Sequence, residues 1–265
     1  MIKSFKLFVN YNEKSIELAG IVRDKFIKNG FVYCDVNFDL GISIGGDGSF
    51  LRMIKDTKFD EKPYYVGINA GTLGFVQEVK PNEVDNLIHE IKNDQNQVDV
   101  IGIQETTISH DGVFEKYYSL NEIIIRDDDL KLLKVEVSID GDLLENYTGD
   151  GLLIATSTGS TAHNLSYGGS IVFNNFSSLQ ITPIAPINSK SFKTLPNSLI
   201  IPDHKEIKIL PNTSDNSFVI TIDGINKRVN HVDKVTTFIG DRKIKMLRFS
   251  HYNFPQKINE KLLSK

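Results

Sequence analysis

The sequence predicts two domains, an α/β domain followed by a β-rich, sandwich-like domain. Strand-like and helix-like segments alternate through the first hundred residues, whereas short strand-like runs with few helix signals follow after about residue 97. Alternating strands and helices favour a parallel sheet covered on both faces, and many short strands separated by turns favour a sandwich. We therefore assign residues 1–100 to the α/β domain and 101–250 to the β-rich domain, and expect 251–265 to be a C-terminal tail or short helix.

Apolar spacing predicts the elements of the α/β domain, which we expect to be Rossmann-like. Alternating apolar residues indicate strands, whereas apolar residues three and four apart indicate helices, here with Gly30 at the end of the first helix. The elements predicted in this way are strands over 5–9, 40–44 and 64–68 and helices over 13–29, after residue 48 and after Pro81.

The β-rich domain is predicted from apolar runs separated by Asp-Gly pairs. Such pairs are typical of tight hairpins because both residues tolerate a positive φ. The predicted strands cover 98–110, 117–126, 133–139, 143–148, 207–210 and 218–222, and the predicted turns are Asp111-Gly112, Asp140-Gly141 and Asp223-Gly224.

Composition narrows the class of protein. The 265 residues are 40% hydrophobic and 24% charged, which excludes a disordered chain, a collagen-like repeat and a coiled coil. Thirty basic residues against 34 acidic ones give a net charge of -4 and no broad electrostatic footprint for nucleic acid. Cys34 is the only cysteine, and the sequence shows no signal peptide and no apolar run near the ~18 residues of a spanning helix. We therefore expect a cytoplasmic protein with neither nucleic acid nor a membrane as partner.

The segment Gly45-Gly46-Asp47-Gly48 follows a predicted strand and precedes a predicted helix. Its glycines would let the backbone approach a phosphate, and the helix N-terminus would offer free N–H groups to the anion. The charge of Asp47 would repel a phosphate, so this residue is better interpreted as a base for a hydroxyl or as a group that acts through a cation. The alternative is a simple turn in which Asp47 caps the helix.

Three further segments are candidates for ligand binding. They are the glycine-rich loop at 67–75 after a predicted strand, the Ser/Thr/Gly-rich segment at 148–162, and the pair Asn121-Glu122. Ligands of open α/β sheets bind at the carboxyl ends of strands, and short hydroxyls and amides suit a polyhydroxylated or phosphorylated ligand. Alone, the loop at 67–75 is weak evidence. Composition by itself favours a solvent-exposed loop and helix cap at 148–162, and an isolated Asn-Glu pair is usually only part of the surface.

Taken in order, GGDGSF, NAGTLGF, LNE, GDGLLIATSTGSTA and TPIAP resemble the NAD kinase family. The resemblance covers roughly residues 40 to 225, and its most specific parts are the Ser/Thr/Gly segment and TPIAP. It implies Mg²⁺-dependent transfer of a phosphoryl group from ATP, or from polyphosphate, to the 2′-hydroxyl of the adenosine ribose of NAD, which gives NADP. It also implies a homodimer or homotetramer.

The resemblance implies roles for individual residues. Asp47 corresponds to the catalytic base, with Gly48 beside it at the substrate, and Asn121 and Glu122 correspond to residues that bind the adenine and the ribose hydroxyls. The remaining substrate-binding residues are expected to be Asp150, Thr161, Ala162, His163, Asn164, Leu165, Ser166 and Ala185. Arg52 is a candidate phosphate contact on position and charge alone, with a solvated surface arginine as the equal alternative. Asp223 and its neighbour Gly224 are weaker candidates for the same site.

Some residues depart from the family pattern. Ser157 replaces a usual proline, which should loosen its loop, and His163 and Asn164 replace a common tyrosine and serine. The histidines show no ligand spacing, so we expect no metal site made by the protein alone. The alternative functions are a sugar-phosphate or lipid kinase that shares GGDG, and a non-catalytic NAD-binding protein.

Overall fold

The computed structural model describes residues 2–71, 74–129, 131–213 and 216–264. The chain divides into two compact units, the first formed by Met1–Ile101 with Arg242–Lys265 and the second by Gly102–Asp241. The first is an α/β unit and the second is β-rich, so the predicted fold class is confirmed.

The first unit is built on a parallel sheet with the strand order β2-β1-β3-β4, to which the C-terminal end of β16 adds beside β4. The strands are β1 (Ser4–Val9), β2 (Val32–Tyr33), β3 (Leu40–Gly45), β4 (Tyr64–Asn69) and β16 (Val232–Arg248), and the helices are α1 (Glu13–Lys28), α2 (Asp47–Asp56), α3 (Val84–Lys92) and α5 (Phe254–Ile258). A 3₁₀ turn at Pro81–Glu83 precedes α3, and a π-helical turn at Asn259–Leu263 follows α5.

Both faces of this sheet are covered, as the sequence predicts. Every residue of β3 is buried. Leu40 and Ile42 lie in a core cluster with Phe26 of α1 and Leu87 of α3. On the opposite face, a Cβ on Gly41 would lie 3.3 Å from the Met53 sulfur of α2. Burial of each large apolar side chain contributes roughly 1.5–3 kcal/mol to stability.

The C-terminal part of β16 belongs to the first unit, which differs from the sequence analysis, where 242–250 was assigned to the β-rich domain. Lys245 and Met246 pair with Tyr64 and Tyr65 of β4 in parallel register. Such pairing joins strands far apart in sequence, and the apolar pattern of one strand does not reveal its partner.

The second unit contains antiparallel strands in two layers. One has the order β12-β11-β10-β7-β14-β15, and the other contains β16-β13-β8-β9 and the hairpin β5-β6. Their bounds are β5 (Gln97–His110), β6 (Val113–Ser119), β7 (Glu122–Asp127), β8 (Leu133–Ile139), β9 (Asp142–Gly149), β10 (Gly151–Thr156), β11 (Ser178–Ile184), β12 (Leu199–Pro202), β13 (Ile207–Pro211), β14 (Phe218–Ile222) and β15 (Ile225–Val229), with a short helix α4 (His163–Ser166). One core cluster joins residues of both layers, which is the arrangement of a sandwich.

The predicted hairpin turns are confirmed. Asp111, Asp140 and Asp223 have φ of 48°, 50° and 43°, and the glycine after each also has a positive φ. Two consecutive positive φ values define the turn that suits the twist of a hairpin. In contrast, the predicted strand over 117–126 is interrupted at residues 120–121, between β6 and β7.

Among the described residues, no helix has the length and apolar character required to cross a bilayer.

Candidate active site

Asp47 lies at the carboxyl end of β3, where the parallel strand meets α2. It is the first residue of the helix, and Gly46 is the N-cap. Within the described part of the chain no side chain caps α2, so the interpretation of Asp47 as a helix cap is wrong. Its half-buried carboxylate instead binds a segment that follows β4.

Three consecutive backbone N–H groups donate to this carboxylate. The Oδ2 atom of Asp47 accepts from Phe75 at 2.9 Å, and its Oδ1 atom accepts from Val76 at 3.2 Å and from Gln77 at 3.1 Å. We call residues 74–77 the strap. A carboxylate accepts about four hydrogen bonds, so among the described residues Oδ2 keeps one unused acceptor position. The strap fixes the orientation of this carboxylate.

The strap approaches Asp47 closely and is tied to β3. A Cβ on Gly74 would overlap the Oδ1 atom of Asp47 and lie 2.6 Å from its Cγ, so only glycine fits there. The Nε2 group of Gln77 donates to Oγ of Ser43 at 2.8 Å and to the carbonyl oxygen of Gly46 at 3.0 Å.

Gly48 and Arg52 lie on α2 after Asp47. Gly48 is exposed, with open space where a Cβ would be. The Nη2 group of Arg52 donates to the carbonyl oxygen of Val9 at 2.7 Å, and its guanidinium lies 4.7 Å from the ring centroid of Tyr11. Arg52 is therefore anchored to the end of β1 rather than freely solvated, and its contact with a phosphate stays a prediction.

The second glycine-rich loop, at 67–75, lies beside the first. The N–H group of Ala70 donates to the carbonyl oxygen of Gly45 at 3.2 Å. The carboxyl ends of β3 and β4 thus bring the two loops together, as expected for neighbouring parallel strands. Thr72 and Leu73 of this loop lie outside the described residues.

A group of buried charges lies behind the strap. Arg248 is fully buried and forms ion pairs with Glu78 and with Asp99. Lys257 is also buried, and burial lowers the pKa of its ammonium although the Glu78 carboxylate opposes this. The sequence motifs do not indicate these residues. Their only signal in the sequence is the arginine inside the apolar run MLRF, which is unusual for a surface position.

In the second unit, Asp223 holds the segment between β6 and β7. Its Oδ2 atom accepts from the N–H of Leu120 at 2.8 Å, and its Oδ1 atom accepts from Asn121 at 2.8 Å and from Glu122 at 3.2 Å. These N–H groups bind a carboxylate and not a neighbouring strand, which explains the break in the predicted strand. Asp223 therefore lies next to the predicted Asn121-Glu122 pair and supports the backbone of that pair.

The Asn-Glu pair is brought together with the Ser/Thr/Gly segment. The buried Glu122 has its Oε1 atom 3.1 Å from Nδ1 of His163. The carbonyl oxygen of the half-buried Asn121 accepts from the N–H of Thr156 at 2.8 Å. The Asn121-Glu122 pair, predicted separately from the Ser/Thr/Gly segment and His163, therefore contacts both in the second unit.

The Ser/Thr/Gly segment is packed tightly. A Cβ on Gly159 would overlap the carbonyl oxygen of Asn121 and lie 2.5 Å from its carbonyl carbon. The hydroxyl of Ser157 donates to the carbonyl oxygen of Phe176 and lies 3.1 Å from Oγ of Ser178. The expected loosening at Ser157 is therefore offset by hydrogen bonds that a proline could not make.

The turn that ends this segment and the helix α4 that follows it carry further predicted substrate-binding residues. His163 and Ser166 are exposed, whereas Thr161, Ala162 and Leu165 are half-buried. A ligand can therefore reach each of these side chains at the surface of the second unit.

Asn164 differs from these neighbours because it is fully buried. Its Oδ1 atom accepts from Oγ1 of Thr182 at 2.6 Å, and its Nδ2 group lies 3.5 Å from the carbonyl oxygen of Ser170. Asn164 supports α4 from within the unit. Its contact with the substrate stays a prediction.

Asp150 and Ala185 lie side by side at one end of β10 and β11. The N–H group of Asp150 donates to the carbonyl oxygen of Ile184 at 2.9 Å, and both Asp150 and Ala185 are exposed. Ala185 has a φ of 44°, which is rare for a residue with a Cβ. Such strained positions cluster at ligand sites, so this residue stays a candidate.

The donor groups do not form a metal cage. Among the described residues no three His, Cys, Asp or Glu side chains are grouped to hold an ion. Mg²⁺ usually keeps several waters and binds largely through substrate phosphates, so the lack of a protein cage among the described residues is compatible with an ion that arrives with a phosphorylated ligand.

A fixed carboxylate at a glycine-rich strand–helix junction of an α/β unit suits a kinase of small hydroxylated molecules, because such a reaction needs a positioned acceptor for the proton of the hydroxyl. Comparison with known families makes this specific. Residues 10–96 match the family model of the ATP-NAD kinase N-terminal domain, and residues 120–249 match that of the ATP-NAD kinase C-terminal domain. The chain belongs to the NAD kinase family.

Individual relatives agree with this assignment. The chain is 36% identical over 255 residues to the NAD kinase of Finegoldia magna, with 93% of each chain covered. It is 32% identical over 261 residues to the NAD kinase of Streptococcus gordonii, with 97% of this chain and 94% of the relative covered.

Solved structures show the same fold. Yeast NADH kinase complexed with NADH matches with a TM-score of 0.84 at 21% identity, covering 100% of this chain and 90% of that one. An NAD kinase from Archaeoglobus fulgidus in complex with ATP matches with a TM-score of 0.77 at 20% identity, covering 98% of both chains.

Proposed function

We propose that this protein transfers the terminal phosphoryl group of ATP to the 2′-hydroxyl of the adenosine ribose of NAD, giving NADP and ADP. Membership of the NAD kinase family supports the reaction. The observation that carries the proposal is the carboxylate of Asp47, which the strap holds at the carboxyl end of β3 with an acceptor position on Oδ2. Polyphosphate is an alternative donor.

In the proposed step, Asp47 accepts the proton of the 2′-hydroxyl. The oxygen forms a bond to the terminal phosphorus as the bond from that phosphorus to its bridging oxygen breaks, and ADP leaves with the electron pair. The proton then passes from Asp47 to solvent. A positioned base contributes typically ~10²–10⁴-fold, and alignment of the reacting atoms supplies a further part.

We propose that the second unit recognises NAD. The amide of Asn121 suits the adenine edge and the carboxylate of Glu122 suits the ribose diol, because an amide both donates and accepts whereas a carboxylate accepts from two hydroxyls. His163 orients Glu122 through their 3.1 Å contact and can stack on a base. The other proposed contacts are Asp150, Thr161, Ala162, Leu165, Ser166 and Ala185.

Mg²⁺ would neutralise the charge that develops on the phosphates during transfer. We propose that it would enter with ATP, held by the phosphates and water. We also propose a cytoplasmic homodimer or homotetramer, since these are the assemblies that the family resemblance implies. Sedimentation of the purified protein tests the assembly, and a single species with the mass of one chain would contradict it.

The function is tested by an NADP-specific coupled assay with NAD, Mg²⁺ and either ATP or polyphosphate. We expect NADP to form, and we expect EDTA to abolish its formation. The absence of NADP with both donors would refute the proposal.

The role of Asp47 is tested by Asp47→Asn in the same assay. We expect kcat to fall by about 10²–10⁴-fold because the amide cannot accept the proton. One strap N–H would face the amide NH₂, so the free energy of unfolding should fall by about 1–3 kcal/mol. Asp56→Asn is the matched control, since this exposed carboxylate ends the same helix. Full activity of Asp47→Asn, or equal losses in both variants, would show that Asp47 is not the base.

A further inference from the structure

The strap holds Asp47, and the residue after the strap is held in turn from the C-terminal segment. Glu78 directly follows Gln77, the last strap donor. The Oε2 atom of Glu78 forms an ion pair with Nη1 of Arg248, and its Oε1 atom accepts from the N–H of Phe249 at 3.3 Å. Glu78 therefore joins the strap to the end of β16.

Arg248 is itself fixed on several sides. Its Nε group donates to Oδ2 of Asp99 at 2.9 Å, and its guanidinium lies 4.3 Å from the ring centroid of Tyr252. The side chain has no exposed surface. A buried charge that loses its partner is costly, so the pair with Glu78 resists separation and leaves the strap little freedom.

These contacts follow one another along the chain and link Arg248 to Asp47 through the strap. Glu78 bonds to Arg248 and Phe249, and the three residues before it donate their N–H groups to Asp47. Movement of Glu78 would move the strap, and movement of the strap would move the carboxylate. An error of about 1 Å in a reacting group can cost ~10²-fold in rate.

We propose that Glu78 and Arg248 are positioning residues for Asp47, which set the strap at the distance that aims the carboxylate at the substrate hydroxyl. This proposal rests on the proposed kinase function. In the positioning proposal, neither Glu78 nor Arg248 touches the substrate. Their effect on the rate passes through the strap alone.

The test compares Glu78→Gln with a matched control, Glu90→Gln. Glu90 is also a buried glutamate, and it accepts from the N–H and the hydroxyl of Ser250, both at 2.8 Å, but it does not adjoin the strap. We expect Glu78→Gln to lower kcat about tenfold with the KM for NAD changed less than about twofold, because only the alignment of the base is lost. We expect Glu90→Gln to lower the melting temperature without this loss of kcat.

A double-mutant cycle separates positioning from general damage. If Glu78 acts only through Asp47, adding Glu78→Gln to Asp47→Asn should change the remaining kcat less than about twofold. If the kcat of the double variant falls by the product of the two single losses, the proposal is overturned. An unchanged kcat in Glu78→Gln, or the same loss in Glu90→Gln, would also overturn it.

Two further measurements keep the test decisive. If Glu78→Gln does not fold, Arg248→Lys takes its place in the same cycle, because lysine keeps the charge but not the forked geometry. Hydrogen exchange of the Phe75, Val76 and Gln77 amides should accelerate in Glu78→Gln and not in Glu90→Gln, and unchanged exchange would contradict the proposal. If the wild-type protein forms no NADP, the proposed function fails, whereas the exchange experiment still tests the link between Glu78 and the strap.

Discussion

At the scale of single residues, Asp47 and Asp223 show the same local arrangement. Each carboxylate accepts hydrogen bonds from three consecutive backbone N–H groups, in the strap and in residues 120–122 respectively. Hydrogen bonds to a charged acceptor are about twice as strong as neutral ones. In both units an aspartate therefore fixes the backbone of a segment near the end of a strand.

The close approach at Gly74 makes a prediction about Asp47. Gly74→Ala should displace the carboxylate, because the new Cβ would lie 2.6 Å from Cγ of Asp47. We expect kcat in the NADP assay to fall by about 10²-fold. Gly20→Ala is the control, since Gly20 lies in α1 outside the candidate ligand-binding segments and a Cβ there meets no atom of the described residues within 4 Å. Equal activities of the two variants would show that the strap does not set the position of Asp47.

At the scale of elements, β4 is shaped to receive the strap. A Cβ on Gly67 would lie 2.6 Å from the carbonyl oxygen of Val76 and 2.9 Å from Cα of Gln77. Gly67 has no positive φ, so close approach and not backbone conformation requires glycine at this position. The strand and the strap therefore form one support for Asp47.

Helix α1 offers a prediction about stability. Gly20 lies in the interior of α1, is exposed, and has open space where a Cβ would be. Gly20→Ala should stabilise the protein by about 0.5–1 kcal/mol, because alanine loses less backbone entropy in a helix. The melting temperature should rise by about 1–4 °C.

The control for this substitution is Gly41→Ala, where a Cβ would lie 2.9 Å from the ring of Tyr65. We expect a lower melting temperature for Gly41→Ala. A lower melting temperature for Gly20→Ala would contradict the open space that the structure shows around Gly20.

At the scale of the whole molecule, each unit contains a fully buried tyrosine. Tyr65 of the first unit donates to the carbonyl oxygen of Asp60 at 2.8 Å, and Tyr147 of the second donates to that of Gly151 at 2.5 Å. Burial raises the pKa of Tyr65 to about 12, and burial also raises the pKa of Tyr147. Both phenols therefore stay protonated in the folded protein at a pH where the unfolded chain loses these protons.

The stability of both units should consequently fall in alkali. A group whose pKa is raised on folding stabilises fully below its unfolded value, near 10, and this stabilisation is lost as the pH rises through the folded value. The contribution of Tyr65 should fall by on the order of 1 kcal/mol between pH 9 and pH 11. Denaturant unfolding of the wild type and Tyr65→Phe at both values measures it. Identical pH dependence in the two proteins would exclude this role of Tyr65.

Much of the fold could be predicted from local patterns. Helix α1 begins after Asn12, which accepts from the N–H of Ser15 at 2.9 Å, and ends before Gly30, whose φ is 90°. These signals are local, because a cap or a turn is made by neighbouring residues. The pairing of β16 with β4 and the burial of Asn164 are not local, and no periodicity could reveal them.

The sequence by itself determined the two fold classes, the hairpin turns and the family, because glycines, Asp-Gly pairs and motif order are properties of consecutive residues. It also selected Asp47, Asn121 and Glu122. Only the tertiary structure decided what holds them, since the strap, Asp223 and the Arg248–Glu78 pair act across long separations in the chain. Backbone N–H groups occur in nearly every residue, so only the fold determines which of them bind a carboxylate.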